Sequence, residues 1–322
     1  MDRALAMKSA LALTSRALRL KPGEEVAVLV DDNTRHLADL VVDAVRETGA
    51  EPVLLVMKPR TKAAEEPPQA VAAALASVDA AIMPVSFSLT HTKARNQASE
   101  RGVRILSLNQ PSEDTFEAGV LDVDYDGIAR QAGRLAERLA RTKVARIESG
   151  KGAVIRIPIE GRKVTANPGL CVEPGTFASP PCLEVNVGPH EDQADGEVWV
   201  NGAMVPGGAV TEPFRAAFRK GTIQRPVSGR DGARWESTVE RHGDPNVFRV
   251  VELGIGLNPR ARVGRGNNPE NEGAAGAVHL GLGEGRTFGS AISASTHSDI
   301  VICDASLWLD DECVIRGGKI LV

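Results

Sequence analysis

The chain has 322 residues, of which 42% are hydrophobic, and a formal net charge of −4. This length suits two domains, since domains commonly hold about 100 to 200 residues. The acidic balance argues against a nucleic-acid partner, because phosphate binding requires clustered Lys and Arg, and no stretch is long and apolar enough to span a membrane.

The N-terminal stretch, residues 1–25, carries basic residues throughout its apolar positions and predicts an amphipathic helix rather than a signal peptide. The four cysteines, Cys171, Cys182, Cys303 and Cys313, form no CxxC pair and no dense small-domain framework, so we expect reduced, structural thiols. These features together indicate a cytoplasmic protein.

The first part of the chain alternates short apolar runs with helical patterns. Residues 26–30 form a continuous apolar run, typical of a strand buried on both faces, and Asp31 to Thr34 then supply helix-start chemistry for a helix that stops at Gly49. The same pattern predicts strands at 52–57, 80–85 and 104–108, and helices at 71–75, 93–101 and 128–141. Such alternation predicts an α/β domain, residues 1–147, with a Rossmann-like or flavodoxin-like parallel sheet.

Glycine and proline become frequent from about residue 149 onward, and short β-rich stretches replace the helices. These stretches are residues 153–159, 183–187, 197–200 and 248–253. They predict a mixed α+β, β-rich domain over residues 148–322, with long loops between its strands.

Several ionisable residues of this second domain stand in apolar segments. Glu252 interrupts the apolar run VVELGIGL, and a buried carboxylate persists only when it is paired or bound to metal; an isolated strand glutamate such as Glu184 or Glu252 is otherwise a solvated side chain. His279, in AVHLGLG, is also compatible with a core histidine bonded to a backbone carbonyl. His297 and Asp299 are two residues apart, so on a strand their side chains share one face and both can reach one ion.

Four segments, CLEVNVGPHED, VVELGIGLNP, GAVHLGLGEG and SASTHSDIV, resemble the M29 family of metal-dependent aminopeptidases, the aminopeptidase T and aminopeptidase S group. The resemblance covers most of the chain and is strongest from about residue 183 to the C-terminus. It implies that two divalent metal ions bind to Glu184, Glu252, His279, His297 and Asp299. Carboxylates and imidazoles together suit zinc, cobalt or manganese, and a water shared by the ions would be the nucleophile.

Two further residues are candidates for catalysis. The M29 aminopeptidases place a tyrosine seven positions after the first histidine, where this chain has Arg286, and the only tyrosine here is Tyr125. Arg286 could stabilise an oxyanion in its place through two donors in a fixed plane, or its presence could indicate a different substrate. Glu191, in PHEDQADG, could pass a proton to the leaving amine, and is equally compatible with a surface position.

The 2,5-dihydroxypyridine dioxygenases, of the same fold, also resemble this chain, in length and in the His-x-Asp element. They bind one Fe(II) through two histidines and one aspartate. In that family a histidine stands at the position of Glu252, and the positions of Glu184 and His279 hold no ligands. We therefore favour a two-metal hydrolase of a peptide or amide bond over a ring-cleaving dioxygenase or a metal-binding protein without strong catalysis.

The resemblance also bears on partners. It implies a small-molecule or short-peptide substrate. Because the relatives are dimers, we expect a homodimer.

Overall fold

The computed structural model of the chain describes residues 1–265 and 268–322. In chain order, its strands are β1 (Glu25–Asp31), β2 (Glu51–Met57), β3 (Ala80–Val85), β4 (Arg104–Asn109), β5 (Val144–Ser149), β6 (Ala153–Pro158), β7 (Val164–Asn167), β8 (Phe177–Ala178), β9 (Glu184–Val187), β10 (Asp195–Val200), β11 (Ala203–Val205), β12 (Gly208–Ala209), β13 (Phe214–Arg219), β14 (Thr222–Ile223), β15 (Val250–Gly256), β16 (Val278–Gly283), β17 (His297–Ile302), β18 (Ser306–Leu309), β19 (Glu312–Arg316) and β20 (Lys319–Ile320).

The α-helices are α1 (Arg3–Ala12), α2 (Ala38–Arg46), α3 (Gln69–Leu75), α4 (Lys93–Glu100), α5 (Glu113–Glu117), α6 (Tyr125–Arg141), α7 (Arg230–Glu240) and α8 (Asn268–Gly273). A π-helical segment, Leu13–Ala17, extends α1, so the predicted N-terminal helix is confirmed. Within the described residues, no helix combines the length and the apolar character needed to cross a membrane.

Five parallel strands form the sheet of the first part of the chain, in the order β2-β1-β3-β4-β8. All residues of β3 are buried, and so are all residues of β1 except Glu25, as expected of strands covered on both faces. Leu29, Met83 and Ile105 belong to the core on one face of this sheet. The predicted α/β class and its parallel sheet are confirmed.

The chain forms two compact units, each made of two separate stretches of sequence. One holds Met1–Ala129 and Asn167–Leu183, and the other holds Arg130–Ala166 and Glu184–Val322. This division differs from the predicted boundary after residue 147. The reason is strand pairing: β5 pairs with β6 and β18 of the second unit, whereas β8 returns to the first unit as a neighbour of β4.

The second unit contains two largely antiparallel sheets. One has eight strands in the order β14-β13-β10-β6-β5-β18-β19-β20, and the other has seven in the order β12-β11-β17-β16-β15-β9-β7. The predicted β-rich character is therefore confirmed. The helix α7 was not predicted, because Gly229 and Gly232 made its segment resemble a loop; it is held by the buried side chains of Trp235 and Val239.

Candidate metal centre

The five predicted metal ligands lie on four neighbouring strands of the seven-stranded sheet. Glu184 begins β9, Glu252 lies in β15, His279 in β16, and His297 and Asp299 in β17. These strands are adjacent in the order β17-β16-β15-β9. The structure thus brings together residues that the sequence separates widely.

The register of these strands places the five side chains on one face. Glu252 pairs with Gly281, which in turn pairs with Asp299. Paired residues point to the same face of a sheet, and so do residues two apart along a strand, which adds His279 and His297 to this face. Glu184 joins them because it pairs with Gly256, four residues after Glu252. A register shift between Val250 and Glu252 marks a bulge directly before the ligand position, a feature common beside active sites.

Two glycines form the floor of the site. A Cβ atom added to Gly254 would lie 2.0 Å from Nε2 of His279, and one added to Gly281 would lie 2.7 Å from Oε2 of Glu252 and 2.7 Å from Cε1 of His297. The ligand side chains therefore occupy the space that a side chain at either glycine position would fill. The alternation Glu-x-Gly and His-x-Gly in the two central strands is the sequence signal that could have revealed this floor.

The donor atoms form two triplets that share Glu252. In the first triplet, Nε2 of His279 lies 3.3 Å from Oε2 of Glu184 and 3.7 Å from Oε1 of Glu252. In the second, Nε2 of His297 lies 3.2 Å from Oε2 of Glu252 and 3.3 Å from Oδ1 of Asp299. Within each triplet the ligand atoms all lie within 4.8 Å of one another. Each triplet offers one imidazole and two carboxylates to a cation.

The site concentrates negative charge in a buried place. The side chains of Glu252 and Asp299 are 4% and 6% exposed. Burial lowers the pKa of His279, but hydrogen bonds to Glu184 and Glu252 outweigh it and hold that pKa well above its usual value. Burial also lowers the pKa of His297, but the charges of Asp299 and Glu252 outweigh this effect and hold that pKa well above its usual value. The three carboxylates need compensating positive charge. In the metal-free protein the two imidazoles provide it by holding protons, and a bound cation would provide it better.

Neighbouring groups orient two of the ligands. Nδ1 of His297 lies 2.8 Å from the carbonyl oxygen of Glu284, which leaves Nε2 facing the carboxylates. The amide of Asn186 donates to Oε1 of Glu184 at 3.0 Å. Such partners fix the rotamer and tautomer of metal ligands. Asn186 was not predicted from the sequence, although it stands two residues after Glu184 and so shares its face.

A further carboxylate, Glu272 in α8, belongs to the surroundings of the site. Burial raises its pKa well above the usual value, and the charge of Asp299 raises it further, whereas His279 opposes the shift. Glu184 and Glu252 act in the same direction as Asp299. Glu272 was not predicted from the sequence either.

The two predicted catalytic residues have partners of their own. Arg286 is an exposed side chain whose Nε donates to Oε1 of Glu284 at 2.6 Å. Glu191 pairs with Arg162 at 3.1 Å and accepts the backbone N–H of Ala291 at 3.0 Å. Burial raises the pKa of Glu191, but the hydrogen bond from Ala291 and the charge of Arg162 help to lower it to about 2. Such a carboxylate stays ionised and is a weak base near neutral pH.

The residues present fit divalent cations. Five donors converge on one sheet face, glycines make room for them, and hydrogen bonds hold two of them in place. Imidazole and carboxylate donors together suit zinc, cobalt or manganese. The shared position of Glu252 is the feature expected of a bridging ligand.

A family model described as NicX, 2,5-dihydroxypyridine 5,6-dioxygenase, matches residues 7–322. This chain belongs to the NicX family. No curated protein sequence matches the chain. The predicted resemblance to the 2,5-dihydroxypyridine dioxygenases is confirmed by this match, whereas the preferred assignment to the M29 aminopeptidases is not.

Two solved structures share the fold of this NicX-family chain. The 2,5-dihydroxypyridine dioxygenase from Pseudomonas putida KT2440 matches with a TM-score of 0.83 at 19% identity, over 100% of this chain and 98% of that chain. Wild-type AmpT from Thermus thermophilus matches with a TM-score of 0.71 at 15% identity, over 100% of both chains. At these identities the likeness establishes the fold and leaves the reaction to the site residues.

Proposed function

We propose that this NicX-family protein is a metal-dependent hydrolase of a peptide or amide bond that uses two divalent ions. The observation that carries the proposal is the position of Glu252, whose two carboxylate oxygens belong to two different triplets of donors. In two-metal hydrolases the ions lie about 3.5 to 4 Å apart and act together on one bond. A carboxylate between two triplets suits that spacing.

The donor set argues against a single ferrous ion. Ferrous oxygenases hold iron through two histidines and one carboxylate on one face. Here each triplet contains one histidine and two carboxylates, and the two imidazoles approach different oxygens of Glu252. A ferrous triad made of His279, His297 and Asp299 would leave the buried carboxylate of Glu252 and the largely covered carboxylate of Glu184 beside it without a role.

Two bound ions would polarise a substrate carbonyl and lower the pKa of a water between them toward neutrality. The protein contributes rigid placement: every donor stands on a strand of one sheet, and His297 and Glu184 are oriented by Glu284 and Asn186. Rigid placement matters because small displacements of reacting groups cost large factors in rate.

Arg286 is proposed to act on the substrate rather than on the metals. Its guanidinium is bonded to the side chain of Glu284, whose backbone carbonyl lies beside His297. This chain of contacts keeps an exposed cation near the second triplet, where it can approach a developing oxyanion or an anionic substrate group. Glu191 does not enter the proposed mechanism, because a proton carrier works best with a pKa near the operating pH.

The second candidate function is ring-cleaving oxygenation with Fe(II), and the family match over residues 7–322 favours it. Family membership alone would favour oxygenation, whereas the set of donor residues favours hydrolysis. The substrate class in that case is a dihydroxypyridine, as the family description indicates for its members.

The two candidates differ in products and in oxygen demand. Protein loaded separately with Zn²⁺, Co²⁺, Mn²⁺ or Fe²⁺ should be offered aminoacyl amides and dipeptides, with release of free amine as the readout. Parallel samples should receive 2,5-dihydroxypyridine in an oxygen electrode. We expect amine release with cobalt or zinc and no oxygen uptake. Oxygen uptake with the iron-loaded sample, without amide cleavage under any metal, would replace hydrolysis by oxygenation.

A further inference from the structure

The strand β2 exposes apolar side chains at the edge of the parallel sheet. Val53, Leu54 and Val56 are 36%, 44% and 39% exposed, whereas all residues of the interior strand β3 are buried. The exposed residues are consecutive or nearly so, and therefore occupy both faces of the strand. Scattered apolar residues on a protein surface are ordinary, but Leu54 and Val56 share one face of an edge strand, where a further strand would cover both.

The backbone of β2 is open on its outer side. The N–H of Glu51 donates to the carbonyl of Glu24 beside β1. Because backbone groups alternate along a strand, the N–H and C=O groups of Leu54 and Val56 point away from β1. An edge of this kind can accept a further strand, and proteins commonly prevent this with charged residues. Residues 52–57 carry no charge, and Pro52 removes only one outward donor.

We propose that β2 pairs antiparallel with β2 of a second copy of this chain about a twofold axis at Leu55. The pairing joins the two five-stranded sheets into one continuous sheet and covers Leu54 and Val56 of each copy with Val56 and Leu54 of the other. It uses the outward backbone groups of both residues. A twofold contact of this type presents the same surface twice and closes on itself.

The charges at the two ends of the strand favour a second copy in this orientation. Glu51 stands at the beginning of β2, and Lys58 follows its end. Antiparallel pairing brings the acidic end of one strand near the basic end of the other. Parallel pairing would place like charges side by side, and the two strands would not be related by the twofold axis at Leu55.

The first test measures oligomeric state by sedimentation velocity. Leu54→Lys and Val56→Lys place a charge in the proposed contact. Val154→Lys is the matched control, because Val154 is 39% exposed but lies on an interior strand of the eight-stranded sheet. We expect dimers for the unsubstituted protein and the control, and folded monomers for the two β2 variants, with circular dichroism as the folding check. A monomeric unsubstituted protein, dimeric β2 variants or a monomeric control would overturn the proposal.

The second test fixes the register without relying on loss of association. At the twofold axis, the two Leu55 residues face each other as a non-hydrogen-bonded pair, with Cα atoms roughly 4.5 Å apart, within the range of about 4.4 to 6.8 Å that a disulfide spans. Leu55→Cys should therefore form a cross-linked dimer under mild oxidation, and Val53→Cys should not. The unsubstituted protein controls for its native cysteines. Absence of the Leu55→Cys cross-link would refute this register and with it the proposed contact.

Discussion

One carboxylate oxygen of Glu252 lies 3.2 Å from Nε2 of His297. The other oxygen of the same carboxylate faces Nε2 of His279 at 3.7 Å. Because this side chain is 4% exposed, water does not solvate its charge, and the groups that face it are two imidazoles. This geometry supports the proposal that Glu252 is shared by two cations, and the proposed reaction depends on this one residue more than on any other.

The glycine floor predicts a steric effect on metal binding. Gly281→Ala puts a methyl group 2.7 Å from Oε2 of Glu252, so the ligands must shift, and we expect metal affinity to fall roughly tenfold or more, the range seen when ligand surroundings are altered. Gly133→Ala is the control, because a Cβ at Gly133 meets nothing within 4 Å. Competition with a chromophoric chelator measures both affinities. Equal affinities would show that the floor is not restrictive.

Asn186 is predicted to act by positioning Glu184. Asn186→Ala removes the 3.0 Å hydrogen bond to Glu184 and should weaken metal binding by roughly 10- to 100-fold. The control is Asn201→Ala, which removes a similar contact to Asp304 at 2.7 Å away from the predicted ligands. Calorimetric titration with zinc should separate the two variants while their folds stay intact. Unchanged zinc affinity in Asn186→Ala would remove this residue from the site.

The parallel sheet could be predicted well from the sequence, because continuous apolar runs such as residues 26–30 and 80–85 report burial on both faces directly. Glu252 could be predicted too, since a carboxylate in an apolar run is visible without a structure. Asn186 and the glycine floor were missed because their meaning depends on register: Gly254 lies between Asn186 and His279 only once β9, β15 and β16 are aligned. The local sequence shows the alternating glycines but does not show which strands align.

Arg286 is predicted to affect turnover more than substrate affinity. If its guanidinium contacts an oxyanion, Arg286→Ala should lower kcat and leave KM nearly unchanged, because the contact forms chiefly in the transition state. Arg234→Ala, an exposed arginine on α7, is the control. A rise in KM with unchanged kcat would instead assign Arg286 to binding of an anionic substrate group. No change in either would make it a loop residue.

Metal binding is predicted to release protons. In the metal-free protein, burial lowers the pKa of both histidines, but the neighbouring carboxylates hold it well above the usual value. The imidazoles are then protonated near neutral pH, and a cation must displace these protons. Zinc affinity should therefore increase with pH. Calorimetry in buffers of different ionisation enthalpy counts the protons; none released at pH 7 would contradict the proposed ligands.

The same shifts predict opposite pH trends for stability with and without metal. A folded-state pKa above the unfolded value, about 6.5 for histidine, stabilises the metal-free protein below that value, and this contribution is lost as the pH rises through the folded-state pKa. The Tm of the metal-free protein should therefore fall as the pH rises above neutrality. Zinc should stabilise the protein more over the same interval, because binding strengthens. Melting curves of the metal-free and the zinc-bound protein across this pH range measure both trends. A Tm of the metal-free protein that rises with pH would contradict the prediction.

Metal content per chain is the most direct test of a two-metal site. Elemental analysis and anomalous scattering should find two zinc, cobalt or manganese ions per chain, and none retained in Glu252→Ala, because Glu252 belongs to both triplets. Glu212→Ala, an exposed carboxylate outside the predicted ligand set, should keep both ions. One iron per chain, still bound after Glu252→Ala, would contradict the two-metal site and leave ring cleavage as the function.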